Sequence, residues 1–144
     1  MQAWRPFLRR DIDGLEQIQH RATKMIEECR NLNYENRLLL TGLTTLEDRR
    51  NRGDMIQVFK IVKGLDKLEQ NNFFALEGTD RTRGHRFKLS KNTSRLEIRK
   101  NFFNQRIVIQ WNELPDSVVE AESVNCYKNK LDKCIAERKS RERK

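Results

Sequence analysis

Residues 44–64 read TTLEDRRNRGDMIQVFKIVKG. Thr44 and Thr45 stand three residues before Glu47 and Asp48, the spacing at which a hydroxyl caps the third helical N–H and an acid reaches back to the cap. Leu46, Ile56, Phe59 and Val62 then recur at helical intervals, and Gly64 supplies a stop. The stretch predicts a helix from just after the threonines to about Val62. Gly53 inside it costs about 1 kcal/mol against alanine unless another backbone approaches closely there. Arg49, Arg50 and Arg52, interleaved with Glu47, Asp48 and Asp54, describe a solvated face with local ion pairs.

Towards the N-terminus, Asn33 as a cap and Gly42 as a stop frame a short helix over residues 34–41. Before it, Ile12, Leu15, Ile18, Ala22, Met25, Ile26 and Cys29 form one apolar stripe along a helix spanning residues 11–30, capped by Asp11 or Asp13. Such a stripe packs into a core or, near a chain end, faces a partner.

Towards the C-terminus, residues 65–80 are irregular, with Phe73, Phe74 and Leu76 as core anchors. From Arg86 the period changes to two: Phe87 and Leu89, then Leu96 and Ile98, alternate with polar residues around Ser90–Ser94, which predicts a short β-hairpin. Helical spacing resumes with Phe103, Ile107, Val108, Trp111 and Leu114 and closes at Pro115. Phe102, Phe103 and Trp111 read as core. A last helix begins near Ser123 with Val124, Tyr127, Leu131 and Ile135, and the ERKSRERK tail after Ala136 frays. The expected fold is mainly α (α+β): a small helical domain with one short β-hairpin. Its expected parts are a helix over 1–30, a compact domain over 31–136 and a basic tail over 137–144.

A chain of 144 residues, 36% of them hydrophobic, can bury a single-domain core. No apolar run approaches a membrane span, and the N-terminus lacks a signal-peptide stretch. Three scattered cysteines make no disulfide framework. These features predict an intracellular protein, cytoplasmic and/or nuclear, with reduced thiols and no membrane partner.

Thirty basic residues face 21 acidic ones, a net charge of +9, and the excess is not spread evenly. Residues 81–106 hold nine cations (Arg81, Arg83, Arg86, Lys88, Lys91, Arg95, Arg99, Lys100 and Arg106) against Glu97 alone, a net +8. If the apolar residues of the predicted hairpin face inward, Arg86, Lys88, Arg95 and Arg99 share the outer face. Like charges side by side repel unless a polyanion offsets them, and phosphate backbone is such a polyanion. A solubility surface, or edge lysines that block aggregation, is the plainer alternative. His85 is a further candidate, as an uncharged donor. Gly84 would let backbone approach a phosphate, or simply turn the chain. No recognition helix and no exposed aromatic residue for base stacking is evident, so little base reading is expected.

Catalytic chemistry is not apparent. His20 and His85 have no serine or cysteine nearby in sequence, and Cys126 and Cys134 lack zinc-ligand spacing. There is no GxxxxGK, GxGxxG or HExxH motif. The chain is expected to have no catalytic residue, no metal and no cofactor.

Five blocks occur in order: AWRPFLRRDIDGLEQIQHRATKMI from Ala3, GLTTLEDRRNRGDMIQVFKIVKGLD from Gly42, TRGHRFKL from Thr82, RKNFFNQRIVIQWNELP from Arg99 and SVNCYKNKLDK from Ser123. Together they resemble the C-terminal region of non-LTR (LINE-type) retrotransposon reverse transcriptases of the jockey and chicken-repeat kind. The WNELP and TLEDRRNRGDMIQVFKI blocks are the most specific. Cys126–Tyr127 departs mildly from the closing block, where the family has an aromatic residue. By this resemblance Trp4 to about Arg30 is the end of the polymerase thumb, and the rest is the domain that follows the polymerase. The endonuclease and the palm with its paired aspartates are missing, which implies a truncated copy without polymerase activity. The implied role is to hold element RNA or nicked target DNA beside a catalytic centre. The functional expectation is therefore a non-catalytic nucleic-acid-binding accessory domain. The alternative is a structural module that packs on a reverse transcriptase palm or thumb, or on itself.

Overall fold

The computed structural model describes residues 5–77 and 84–142. The chain forms two compact units, Met1–Gly53 and Asp54–Lys144, whose boundary falls inside a helix. The fold is mainly α, and no strand forms among the described residues.

In the first unit, α1 spans Arg9–Lys24, a 3-10 turn covers Glu27–Cys29, and α2 spans Tyr34–Thr41. Helix α1 starts before both predicted caps: Asp11 lies in its first turn and Asp13 pairs with Arg9 at 3.1 Å. Helix α2 has the ends its sequence prescribes. The Asn33 side chain accepts the Asn36 N–H at 2.8 Å, and Gly42 adopts φ 65° while Leu43 N–H donates to Leu38 O. Most of the α1 stripe is not core: Cys29 at its far end is buried and Ile12 and Leu15 are half-buried. Ile18 and Met25 are exposed, Met25 to 82%, and the buried α1 residue is Thr23.

Polar contacts hold this unit where apolar burial is sparse. Glu16 accepts the Tyr34 hydroxyl with one oxygen and the Leu46 N–H with the other, the latter at 2.9 Å. Buried Arg37 donates to Leu32 O at 2.6 Å and Thr23 Oγ1 at 3.3 Å, and sits 3.0 Å from His20 Nε2.

Helix α3, Leu46–Val62, matches its prediction, with Asp48 N–H bonded to Thr45 Oγ1 at 3.1 Å. Its second half opens the second unit and buries Met55, Val58, Phe59, Ile61 and Val62. Four short helices follow the irregular segment: α4 (Glu97–Lys100), α5 (Phe103–Arg106), α6 (Val108–Asn112) and α7 (Asp116–Val119). The last helix, α8 (Val124–Glu142), continues through most of the basic tail, where Arg138 bonds Glu113 and Ser140 bonds Ala136 O. Phe59 stacks on Tyr127 with ring centroids 4.1 Å apart, and Trp111 is fully buried in the same cluster.

The predicted hairpin is absent, and Asn112 explains why. Its side chain accepts the Leu89 N–H and donates to Leu89 O, both at 2.9 Å, occupying the hydrogen bonds a strand partner would take. On the other side, Glu77 N–H donates to Lys88 O and Ser90 N–H to Ala75 O, which makes a single antiparallel bridge between Leu76 and Leu89. The predicted second strand instead enters α4, and Leu96 and Ile98 are 70% and 58% exposed. Phe102 is also outside the core, at 54% exposure.

Candidate nucleic-acid interface

The candidate cations meet different fates in the second unit. Arg81 and Arg83 lie outside the described residues. Arg86 is exposed, pairs with Glu120 at 3.3 Å and lies over the Phe87 ring. Lys88 is half-buried and its side chain crosses Gly84, where an added Cβ would fall 2.9 Å from Lys88 Cε. With φ 109°, Gly84 is fixed by backbone geometry, so the turn accounts for this glycine.

His85 is not a surface donor. It is buried against Trp111, its Nε2 lies 2.9 Å from Trp111 O, and Nδ1 has no hydrogen-bond partner among the described residues. The carbonyl can only accept, so Nε2 holds the proton and that donor is already used.

Arg106 is likewise committed to the fold. Its guanidinium bonds Asp54 through Nε and Nη2, at 2.9 and 3.1 Å, and Asn101 O through Nη1 at 2.9 Å. Asp54 is buried, so this charge is neutralised from within.

Lys91, Arg95 and Arg99 are exposed and form no ion pair among the described residues. Exposed Lys100 pairs with Glu97 one helical turn away, a weak contact that a phosphate can replace. The predicted single outer face therefore does not exist. What exists is a cleft of about 340 Å³ lined by Lys91, Asn92, Thr93, Ser94, Lys100, Gln105, Arg106 and Ile109. Two lysines, an arginine and a row of amide and hydroxyl residues line it together with apolar surface, so it offers donors to an anion beside an apolar wall.

Sequence reasoning missed the polar part of this lining. Asn92, Thr93 and Ser94 read as a hairpin loop, although their clustering beside Lys91 is plain in the sequence. It also missed Lys63, whose Nζ lies 4.4 Å from the Phe87 ring centroid, because that contact is tertiary.

All three cysteines are free, and no group of three metal-ligating side chains gathers among the described residues. No helix among them is long and apolar enough to cross a membrane. Comparison with protein-family models, with curated proteins and with solved structures finds no match to this chain.

Proposed function

We propose that this chain is a non-catalytic nucleic-acid-binding accessory domain, derived from the C-terminal region of a LINE-type retrotransposon reverse transcriptase, that grips phosphate backbone of RNA or DNA. The observation that carries the reading is the cleft between Lys91 and Lys100, set in a segment of net +8. Lys91 and Lys100 are the phosphate contacts, Asn92, Thr93 and Ser94 supply hydrogen bonds to phosphate or sugar, and Arg95 and Arg99 extend the field. Arg106 is a wall of the cleft, held by Asp54. Binding of this kind works by counterion release and falls steeply with salt. A salt titration with matched RNA and DNA oligonucleotides tests it: Lys91→Glu with Lys100→Glu should abolish binding at low salt. Unchanged affinity in a folded double variant would sink the reading.

A second reading rests on the first unit, where Met25 and Leu39 are 82% and 79% exposed and Ile18 and Leu40 are exposed too. Four large apolar side chains exposed in one unit fit an interaction module that packs on a polymerase thumb or on itself. Sedimentation velocity separates the two, since a stable dimer without nucleic-acid affinity would favour this second reading.

A further inference from the structure

Phe102 is a large aromatic side chain left more than half exposed at the edge of a strongly basic segment. Its backbone is nevertheless fixed. Phe102 O accepts the N–H groups of Gln105 and Arg106, at 2.9 and 3.0 Å, so the residue sits at the N-terminal end of the helix that lines the cleft. Lys100 of the cleft is two residues before it. Ile109, half exposed, lines the cleft itself, and Ile98 is exposed two residues before Lys100. Exposed apolar side chains and the exposed cations Lys91, Arg95, Arg99 and Lys100 are thus interleaved over residues 91–109.

Charge complementarity restricts what can cover this surface. Exposed Lys91, Arg95 and Arg99 call for a polyanion, while Phe102 calls for a flat apolar partner. Unpaired nucleobases on a phosphate strand supply both together, and aromatic stacking with a cationic groove is how sequence-tolerant single-strand binders work. Duplex DNA hides its base faces, which leaves Phe102 without a stacking partner, and reading its base edges takes a helix or ribbon in the groove, while α4 and α5 are four residues each. An anionic lipid surface would match the charge, but a concave cleft lined by Asn92, Thr93, Ser94 and Gln105 is shaped for a strand. Its 340 Å³ lies at the small end of the range for ligand clefts, about 300–1,000 Å³, which suits one nucleotide at a time.

We infer that the cleft takes single-stranded nucleic acid, with Phe102 stacking on an unpaired base beside the strand that Lys91 and Lys100 hold. The inference rests on the phosphate-binding reading above and narrows its substrate.

The test compares oligo(dT), oligo(rU) and a mixed-sequence duplex of equal length at one low salt concentration, using the full chain. Single strands should bind at least ten-fold more tightly than duplex. Phe102→Ala should lose about ten-fold on single strands, equivalent to ~1.4 kcal/mol, with little change on duplex, and Phe102→Trp should restore it. Photocrosslinking of a 5-iodouracil-substituted strand should map to Phe102 by mass spectrometry, a readout that needs no variant. Equal affinity for duplex and single strands, with Phe102→Ala silent and Lys91→Glu/Lys100→Glu defective, overturns the single-strand inference and leaves backbone binding standing. No binding to any of the three probes overturns both. Sedimentation with phosphatidylserine vesicles that depends on Phe102, without nucleic-acid binding, assigns the surface to lipid and also overturns both.

Discussion

Arg106 and Asp54, 52 residues apart, meet in a two-pronged ion pair in which Asp54 is 1% exposed and Arg106 11%. Removing one partner strands a buried charge, whereas removing both need not. Asp54→Ala should destabilise the chain by about 3–5 kcal/mol, read as a fall in the urea midpoint. Asp54→Leu with Arg106→Met should recover most of that loss. Failure of the double variant to improve on Asp54→Ala would show that the pair does more than neutralise itself.

Asn112 holds Leu89 by both backbone groups, the N–H and the carbonyl. Asn112→Ala leaves these groups of buried Leu89 without the side-chain partner, at a cost of about 1–3 kcal/mol per group unless water replaces it. Amide hydrogen exchange should accelerate first at Leu89 and next at Ser90, whose N–H completes the small bridge to Ala75.

These contacts also mark where the sequence was readable. Asn33, Gly42, Thr45 and Gly64 act on backbone within a few residues, so the ends of α2 and α3 followed from local chemistry. The alternation over Phe87–Leu89 marked a paired residue only at Leu89, since Arg86 and Phe87 lie in a turn, and the partners of this segment are Ala75–Glu77 and Asn112, which period two cannot name. Ile18, Met25 and Ile26 of the α1 stripe, and Phe102, satisfied core patterns yet remain on the surface, because periodicity says which residues share a face and not what covers it. Charge counting found the basic segment, but Asp54 and Glu120 lie far off in sequence, so it could not tell committed cations from open ones.

The two tyrosines make stability sensitive to alkali. Burial raises Tyr127 well above the ordinary phenol range, and burial together with its hydrogen bond to Glu16 pushes Tyr34 up to about 12. The unfolded chain ionises both near 10, so their contribution is complete below that pH and is lost as pH rises through the folded values. The urea midpoint should be flat with respect to these groups up to about pH 9 and fall above pH 10. Tyr127→Phe should weaken that fall. At neutral pH it should cost about 1 kcal/mol through the missing bond to Met55 O.

The division between open and committed cations predicts graded effects on nucleic-acid binding. Each reversal of Lys91, Arg95 or Arg99 to Glu removes a charge with no carboxylate partner among the described residues. The salt dependence of log K should then become shallower by about 0.7–0.9 for each phosphate that is no longer neutralised. Arg86→Glu should do less, because Glu120 already offsets that charge. His85→Phe should leave the slope unchanged and act on stability instead, by about 1 kcal/mol, since it removes the imidazole donor from Trp111 O, which keeps the Leu114 N–H at 3.1 Å. Fluorescence anisotropy at several salt concentrations, with urea melts of the same variants, measures both quantities. An equal effect from Arg86 and Lys91 would mean that the whole basic segment acts as a diffuse field, with no privileged place for the cleft.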